Sequence, residues 1–406
     1  MSKSATNQQK INFMYKKIIL LLVITTFYSC GSDNSSNNYV DPYANVKATF
    51  GTNIDLDNLA NYANQSIPGY ITKDNSAGNY ITDKGATLGR VLFYDKNLSS
   101  NNTISCASCH QQANAFGDTN VASNGVNGTT GRHSMRLINT RFAVENKFFW
   151  NERAATLEFQ TTQPIQDHIE MGFSGTSGDE GFSGLVTKLN QIDYYKELFK
   201  FVYGTEEITE SKVQTALAQF IRSIQSFDSK YDTGRAQVAN EGQPFPNFTP
   251  QENQGKNLFL TPPVFDATGN RTGGGVGCAG CHAAPEFDIA PNSGNNGIIG
   301  NLNGTGIDIT NTRAPSLRDL VKLDGTLNGP MMHTGVITSL QAAIGHYGTI
   351  NIAPGNTNLD PKLRPNGFGQ RLNFNAQEIN SLIAFLRTLS GSNVYVDTKW
   401  SNPFPN

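Results

Sequence analysis

No excess of charge of either sign marks this chain: 31 Lys and Arg stand against 33 Asp and Glu, a formal net charge of −2. A polyanion binder needs a basic footprint, so nucleic acid is excluded as the main partner. No segment sustains the apolar–polar alternation of a half-buried strand. The apolar run at residues 18–27 is too short to span a bilayer permanently. Cysteine is scarce, and the five present are an odd number that cannot all pair within the chain. Hydrophobic content without glycine is only 37%, but 39 glycines restore a globular total, and the rest leans to Asn, Ser and Thr. Modest helices joined by long polar loops are expected, and 406 residues suggest two domains.

What is present begins with a targeting pattern. Lys16 and Lys17 precede the apolar run, the order of a secretory signal. Ser29 directly before Cys30, followed by Gly31-Ser32-Asp33 and a polar tether, resembles a bacterial lipoprotein signal, in which the cysteine is lipidated. Phe27 departs from that motif, which carries a small aliphatic there, and plain secretion with an incidental cysteine is the alternative. Met14 is an alternative initiator. Either reading predicts an exported protein; the first makes it a periplasmic or cell-envelope lipoprotein held to the membrane by its N-terminal lipid.

The other four cysteines fall into two copies of one pattern. Gly89-Arg90-Val91-Leu92-Phe93 precedes Cys106-Ala107-Ser108-Cys109-His110, and Gly255-Lys256-Asn257-Leu258-Phe259 precedes Cys278-Ala279-Gly280-Cys281-His282. An aromatic follows each, Phe116 or Phe287, and then an Arg/Ser/Leu segment, 132–139 or 313–319. The domain-scale offset predicts two related domains. Val213, Leu217, Phe220, Ile221, Ile224 and Phe227 recur at helical spacing, as do Ile379, Leu382, Ile383, Leu386 and Leu389, where Asn375 and Glu378 form a capping-box pair. Both stripes are core-facing surfaces. Residues 232–249 are polar and read as the linker between domains.

A Cys-x-x-Cys-His motif attaches c-type haem: two thiols on an incipient turn reach the vinyl groups, and the next histidine reaches the iron. Zinc shared by both cysteine pairs would leave His110 and His282 unexplained, and a redox pair calls for a thioredoxin-like α/β pattern that is absent. Two motifs in an exported chain therefore predict two covalently bound haem c groups, on Cys106, Cys109 and His110 and on Cys278, Cys281 and His282. The opposite face of each iron decides function, since a strong sixth ligand gives an electron carrier and an open face admits peroxide or oxygen.

With these motifs, the stretch Phe148-Phe149-Trp150-Asn151-Glu152-Arg153-Ala154, continuing through Gln160, Pro164 and Glu170-Met171-Gly172, resembles the bacterial di-haem cytochrome c peroxidases and the related MauG enzymes. The resemblance covers residues 79–389. It implies Trp150 between the haems as an electron relay, and Gln160 and Glu170 over the peroxide-binding iron. There a carboxylate in a poorly hydrated pocket shuttles the proton that O–O cleavage needs. It implies a distal histidine, His133, at the end of the polar loop 117–132, blocking the first haem until the second is reduced; a plain loop histidine is the alternative, and Met135 a lesser ligand. His168 is read as a bystander. At the second haem the resemblance departs from the usual methionine: Tyr347 stands at the sixth-ligand place, with His346 as the alternative, and Met331 and Met332 are read as decoys. A tyrosine there resembles the MauG type. The family also holds calcium between its haems, which maps onto Asn139, Asn328 and Pro330, an oxygen-only set suited to that ion.

The expectation is a mainly α protein of two cytochrome c-like haem domains related by an internal repeat, with long loops: signal 1–29, polar tether and leader 30–78, a peroxidatic domain 79–234 and an electron-transfer domain 235–400. The implied function is reduction of hydrogen peroxide by electrons from a small external cytochrome c or similar donor, in a chain that the resemblance also suggests as a homodimer. The rivals are a MauG-like oxidase acting on a protein or organic substrate through high-valent iron, and a non-enzymatic di-haem electron carrier.

Overall fold

Long loops join short helices throughout, as the composition implies. The computed structural model describes residues 41–405 except 144–146, 290–292, 303 and 305; the targeting segment with Cys30 lies outside the described residues. In chain order the helices are α1 (Ala44–Phe50), α2 (Asp83–Tyr94), α3 (Cys106–Cys109), α4 (Leu157–Thr162), α5 (Phe182–Leu189), α6 (Asp193–Tyr203), α7 (Glu210–Ser223), α8 (Lys230–Arg235), α9 (Pro250–Leu260), α10 (Leu340–Gly348), α11 (Ala376–Arg387) and α12 (Asn393–Val396). Strands among the described residues form three antiparallel pairs: β1 (Asn124–Gly125) with β2 (Gly128–Thr129), β3 (Pro263–Phe265) with β4 (Arg271–Gly274), and β5 (His282–Ala283) with β6 (Asp288–Ile289). The fold is mainly α. No helix among the described residues is long and apolar enough to cross a membrane.

Two larger hydrophobic cores organise the packing. In the first, α2 lies against α7, burying Leu88, Leu92, Leu217 and Phe220 completely. In the second, α9 lies against α11 around Phe259, Phe385 and Leu382. Each pair depends on one glycine. A Cβ on Gly89 would sit 2.0 Å from the Ala216 carbonyl oxygen, and one on Gly255 would sit 1.9 Å from that of Ser381. The Gly-x-x-Leu-Phe copies of the sequence thus mark the two closest helix contacts of the cores. Gly255→Ala should therefore cost about 1–3 kcal/mol by forcing the helices apart. Gly345→Ala, on α10 with open space around it, should gain roughly 0.4–1 kcal/mol. Chemical denaturation midpoints of the two variants should move in opposite directions.

Three expectations need correction. Residues 30–78 are not merely tether and leader: Val46, Phe50, Ile54, Leu56 and Tyr62 are buried in the first core, their apolar side chains dispersed through a polar sequence that hides them. The stretch 232–249 is not a free linker either, because Asp232 is 5% exposed and Phe245 and Phe248 belong to the second core. Thirdly, α7 stops at Ser223, short of Phe227. Asn139 takes over there: its backbone N–H donates to the Ile224 carbonyl at 3.0 Å, and its Oδ1 accepts from the Ser226 N–H at 2.8 Å. The C-terminal helix matches its expected start, with the capping box between Asn375 and Glu378 formed.

After the second core the chain returns to the first. Val394 and Trp400 are buried there. Tyr62 and Tyr94 hydroxyls donate to the Lys399 and Trp400 carbonyls, both at 2.6 Å. Gln112, two residues beyond the first Cys-x-x-Cys-His motif, donates through Nε2 to the Val394 and Asp397 carbonyls at 3.2 and 3.0 Å.

A buried ion pair ties distant segments together. Arg318, fully buried, grips Asp232 with two bonds of 2.9 Å. Tyr70 donates to the same carboxylate at 2.7 Å, and Arg318 also donates to the Pro285 carbonyl at 2.9 Å. Burial alone would raise the Asp232 pKa, but the Arg318 charge and bonds outweigh it and hold the group below the usual carboxylate range.

Candidate active site

The two Cys-x-x-Cys-His motifs open onto two cavities. Cys106, Cys109 and His110 line the first, of about 730 Å³, together with Trp150, Gln160 and Glu170. Cys278, Cys281 and His282 line the second, of about 370 Å³. Both lie in the size range of cofactor sites. Because the cysteine pairs line different cavities, zinc shared between them is excluded, and no group of three or more His, Cys, Asp or Glu among the described residues is arranged to hold a metal. Burial also pushes the thiols up, Cys106 and Cys278 to about 12, and Cys109 and Cys281 to about 11. That is opposite to the activation a redox pair requires.

Each motif is built to present one histidine nitrogen. Helix α3 begins at a Ser105–Ser108 capping box and ends at His110. His110 Nδ1–H donates to the Phe116 carbonyl at 3.2 Å, and His282 Nδ1–H to the Pro315 carbonyl at 3.1 Å. A carbonyl only accepts, so both Nδ1 atoms carry the proton and both Nε2 lone pairs are available to a metal. Burial lowers each imidazole to about pKa 4, which keeps it neutral at physiological pH. Phe116 and Phe287, both fully buried, adopt the left-handed region at φ 58° and 57°. Each turns the chain back behind its motif.

The residues suit haem in a further respect. Arg136 and Arg313 line both cavities. Arg313 is buried and Arg136 half-buried, and Arg136 Nε is itself buried with no partner. A cofactor carrying carboxylates would satisfy these guanidinium groups. Their role was not assigned from sequence, although the Arg/Ser/Leu segments that contain them were visible as part of the repeat.

On the first cavity's wall, Thr156 caps α4, which brings buried Leu157 and Thr161 and half-buried Gln160 to the lining. Glu170 stands on the following loop, its N–H held by Asp167 Oδ1 at 3.0 Å and its carbonyl by the Val126 N–H at 3.1 Å. Burial, reinforced by Asp167, pushes the Glu170 carboxyl up to about 7, with Arg153 opposing. Arg153 in turn stacks over Phe149, 3.4 Å from the ring centre. Trp150 belongs to both cavity walls. Its indole N–H donates to the His133 carbonyl at 2.6 Å, and its neighbours Phe149 and Glu152 take φ of 69° and 59°, strain of the kind that concentrates at functional sites.

His133 lies in the wall shared by both cavities, lining the first together with Gln160 and Glu170. Its Nδ1–H donates to the Asn120 carbonyl at 3.0 Å and its backbone N–H to the His333 carbonyl at 2.8 Å. Arg136 and Asp118 act on its ring electrostatically. It is 6% exposed and tied at three points. The polar loop before it is organised as the β1–β2 hairpin.

At the second cavity the two neighbours on α10 face different surroundings. Tyr347 lines the cavity. His346 turns away and donates through Nε2 to the Asn296 carbonyl at 2.9 Å. Met331 and Met332, read as decoys, line the same cavity, as does Asn296, which the sequence did not single out. For calcium the fit is mixed. The Asn139 amide is occupied in pinning Ser226. Asn328 donates to the Asp319 carbonyl at 2.7 Å and leaves its Oδ1 buried without a partner, the kind of oxygen a cation takes. Pro330 lines the second cavity.

Residues 83–239 match the di-haem cytochrome c peroxidase family. The chain is 27% identical over 328 residues to the methylamine utilization protein MauG of Methylophilus methylotrophus, spanning 77% of this chain and 84% of that one. It is also 27% identical over 321 residues to the cytochrome c551 peroxidase of Nitrosomonas europaea, spanning 75% and 80% respectively. The crystal structure of a MauG-like protein associated with microbial copper homeostasis superposes with a TM-score of 0.64 at 27% identity, covering 84% of this chain and 99% of that one. The diheme peroxidase BthA of Burkholderia thailandensis, at 19% identity and a TM-score of 0.57 over 83% of this chain and 94% of its own, shares the fold. The two motif-bearing cavities, with the acid, amide and tryptophan around the first, thus lie in a chain that matches the di-haem cytochrome c peroxidase family over residues 83–239 and resembles MauG and cytochrome c peroxidase proteins over three quarters of its length, which supports an oxidoreductase and implies two haem c groups.

Proposed function

We propose that this chain is a di-haem cytochrome c peroxidase, reducing hydrogen peroxide to water with electrons from a small external cytochrome c or similar donor, in an exported and lipid-anchored protein. The observation that carries the reading is Glu170, a carboxyl at about pKa 7 on the wall of the cavity that Cys106, Cys109 and His110 also line. Bound on those three residues, haem would supply the iron that takes peroxide and the electrons that split its O–O bond. Ionised Glu170 accepts a proton from the near oxygen of peroxide and delivers it to the far one, so that oxygen leaves as water. Gln160 orients the substrate by hydrogen bonding and does not compete for the proton. Arg153, opposing the upward shift, keeps the carboxyl near neutrality, where it can both take and give a proton. Trp150, common to both walls, stands on the route from the His282 site to the His110 site. The overall change consumes one peroxide, two electrons and two protons and yields two waters. Asn328, with carbonyls near it, is the proposed place for calcium.

A second reading, the MauG-like oxidase, is favoured by Tyr347 in the second cavity, because a phenolate oxygen favours ferric iron where the usual thioether favours ferrous. The two separate in a stopped-flow assay with reduced small cytochrome c and peroxide. The peroxidase reading expects two cytochromes oxidised per peroxide, at a rate proportional to enzyme. Peroxide consumption by the protein without cytochrome oxidation above the uncatalysed rate would transfer the chain to the oxidase group.

A further inference from the structure

Beyond the second motif, a tight turn before α10 aims a methionine sulfur into the second cavity. Met331 N–H donates to the Ile337 carbonyl at 2.7 Å, and Gly335 N–H to the Met332 carbonyl at 3.0 Å. At the apex Met332 takes φ 70°, the left-handed region that costs a residue with a side chain. The conformation places Met332 Sδ 3.9 Å from Tyr347 Oη, which donates to it. Asn296, only 9% exposed, donates through Nδ2 to Met332 Sδ at 3.2 Å and reaches Tyr347 Oη at 3.5 Å. A soft thioether and a hard phenol oxygen thus sit side by side in the cavity of Cys278, Cys281 and His282.

We infer that Met332 Sδ and Tyr347 Oη share the sixth-ligand face of the second haem, oxygen serving the oxidised state and sulfur the reduced one. The inference rests on reading the second cavity as a haem site and deepens it by assigning two ligands where one was expected. Anionic oxygen favours ferric iron and thioether sulfur favours ferrous, so the redox state itself selects between them. On reduction, one electron from the external donor goes to the iron. The bond from iron to Tyr347 Oη breaks, Oη takes a proton from solvent, and a bond from iron to Met332 Sδ forms. Asn296 can hold whichever of the two atoms is released.

The test uses the holoprotein with both haems attached, by proton NMR when fully reduced and by electron paramagnetic resonance when oxidised. The reduced protein should show a methionine methyl resonance shifted far upfield by the haem ring current. Met332→Leu should lose it and leave the reduced second haem high-spin, with the oxidised spectrum unchanged. Met331→Leu, altering the neighbouring methionine, should retain it. Tyr347→Phe should be low-spin and sulfur-ligated in both states, and the double variant Tyr347→Phe/Met332→Leu high-spin in both. Absence of the shifted methyl in the reduced protein overturns the inference, as does a high-spin oxidised Tyr347→Phe. A methionine signal in both states, insensitive to Tyr347→Phe, also overturns it and leaves a plain methionine-ligated site. A haem count of one overturns the underlying reading together with it.

Discussion

Glu170→Gln should lower peroxide turnover by about 10²–10⁴-fold, the usual contribution of a positioned proton shuttle. Both haems should remain attached, because Glu170 contacts neither motif's cysteines nor histidine through a hydrogen bond and its amide replacement keeps the shape of the wall. The pH profile supplies the sharper check. Peroxide arrives protonated, so the carboxyl must be ionised to accept the first proton. With the group pushed up to about 7 by burial and Asp167, its active form disappears as pH falls through neutrality. The second-order rate constant for peroxide should therefore rise with pH and level off above about 7, and Glu170→Gln should flatten that limb. A wild-type profile with no ionisation between pH 6 and 8 would remove Glu170 from the mechanism.

Arg318→Leu should destabilise the fold by about 3–5 kcal/mol, because it leaves the Asp232 carboxylate buried and uncompensated. The pair gathers Tyr70, Asp232, Pro285 and Arg318 into one network. Lysine in place of Arg318 keeps the charge but loses the two-pronged grip, so it should recover only part of the loss. Arg318→Leu with Asp232→Asn should recover more, since no orphan charge is left. The sign with pH follows from Asp232, whose folded pKa is depressed. Its stabilising contribution is complete above the ordinary carboxylate value of about 3.9 and is lost as pH falls through the lower folded value. Urea midpoints of wild type and Arg318→Leu should accordingly differ most near neutrality and converge in acid.

Much of the site could be read from spacing alone. Cys-x-x-Cys-His is a local motif whose chemistry is carried by adjacent residues, and Gln160, Glu170 and Trp150 came with the stretch that resembles the family. What could not be read depends on contacts far apart in the chain. The end of α7 is set by Asn139, more than one helix away. Tyr347 and His346 are neighbours on α10, and only packing rotates one in and the other out. Met332 looked incidental because its direction comes from a left-handed backbone that its sequence does not announce. His133 sits where the two halves meet, and a polar loop in sequence gave no sign that Asn120, His333 and Trp150 would hold it. The first core's N-terminal contribution was hidden for a different reason: Val46, Phe50 and Ile54 are too widely spaced among polar residues to form a stripe.

Chain direction gives the tail that returns to the first core a role in timing. Synthesis proceeds from the N-terminus, and domains tend to fold as they emerge. Here the first half cannot finish early, because Val394 and Trp400 complete its core and the carbonyls of Val394 and Asp397 hold Gln112 just beyond His110. The turn behind the first cysteine pair thus stays unfastened until almost the last residue has been made. A chain cut short before residue 393 would keep both cysteine pairs, yet would be left with a door that has no latch.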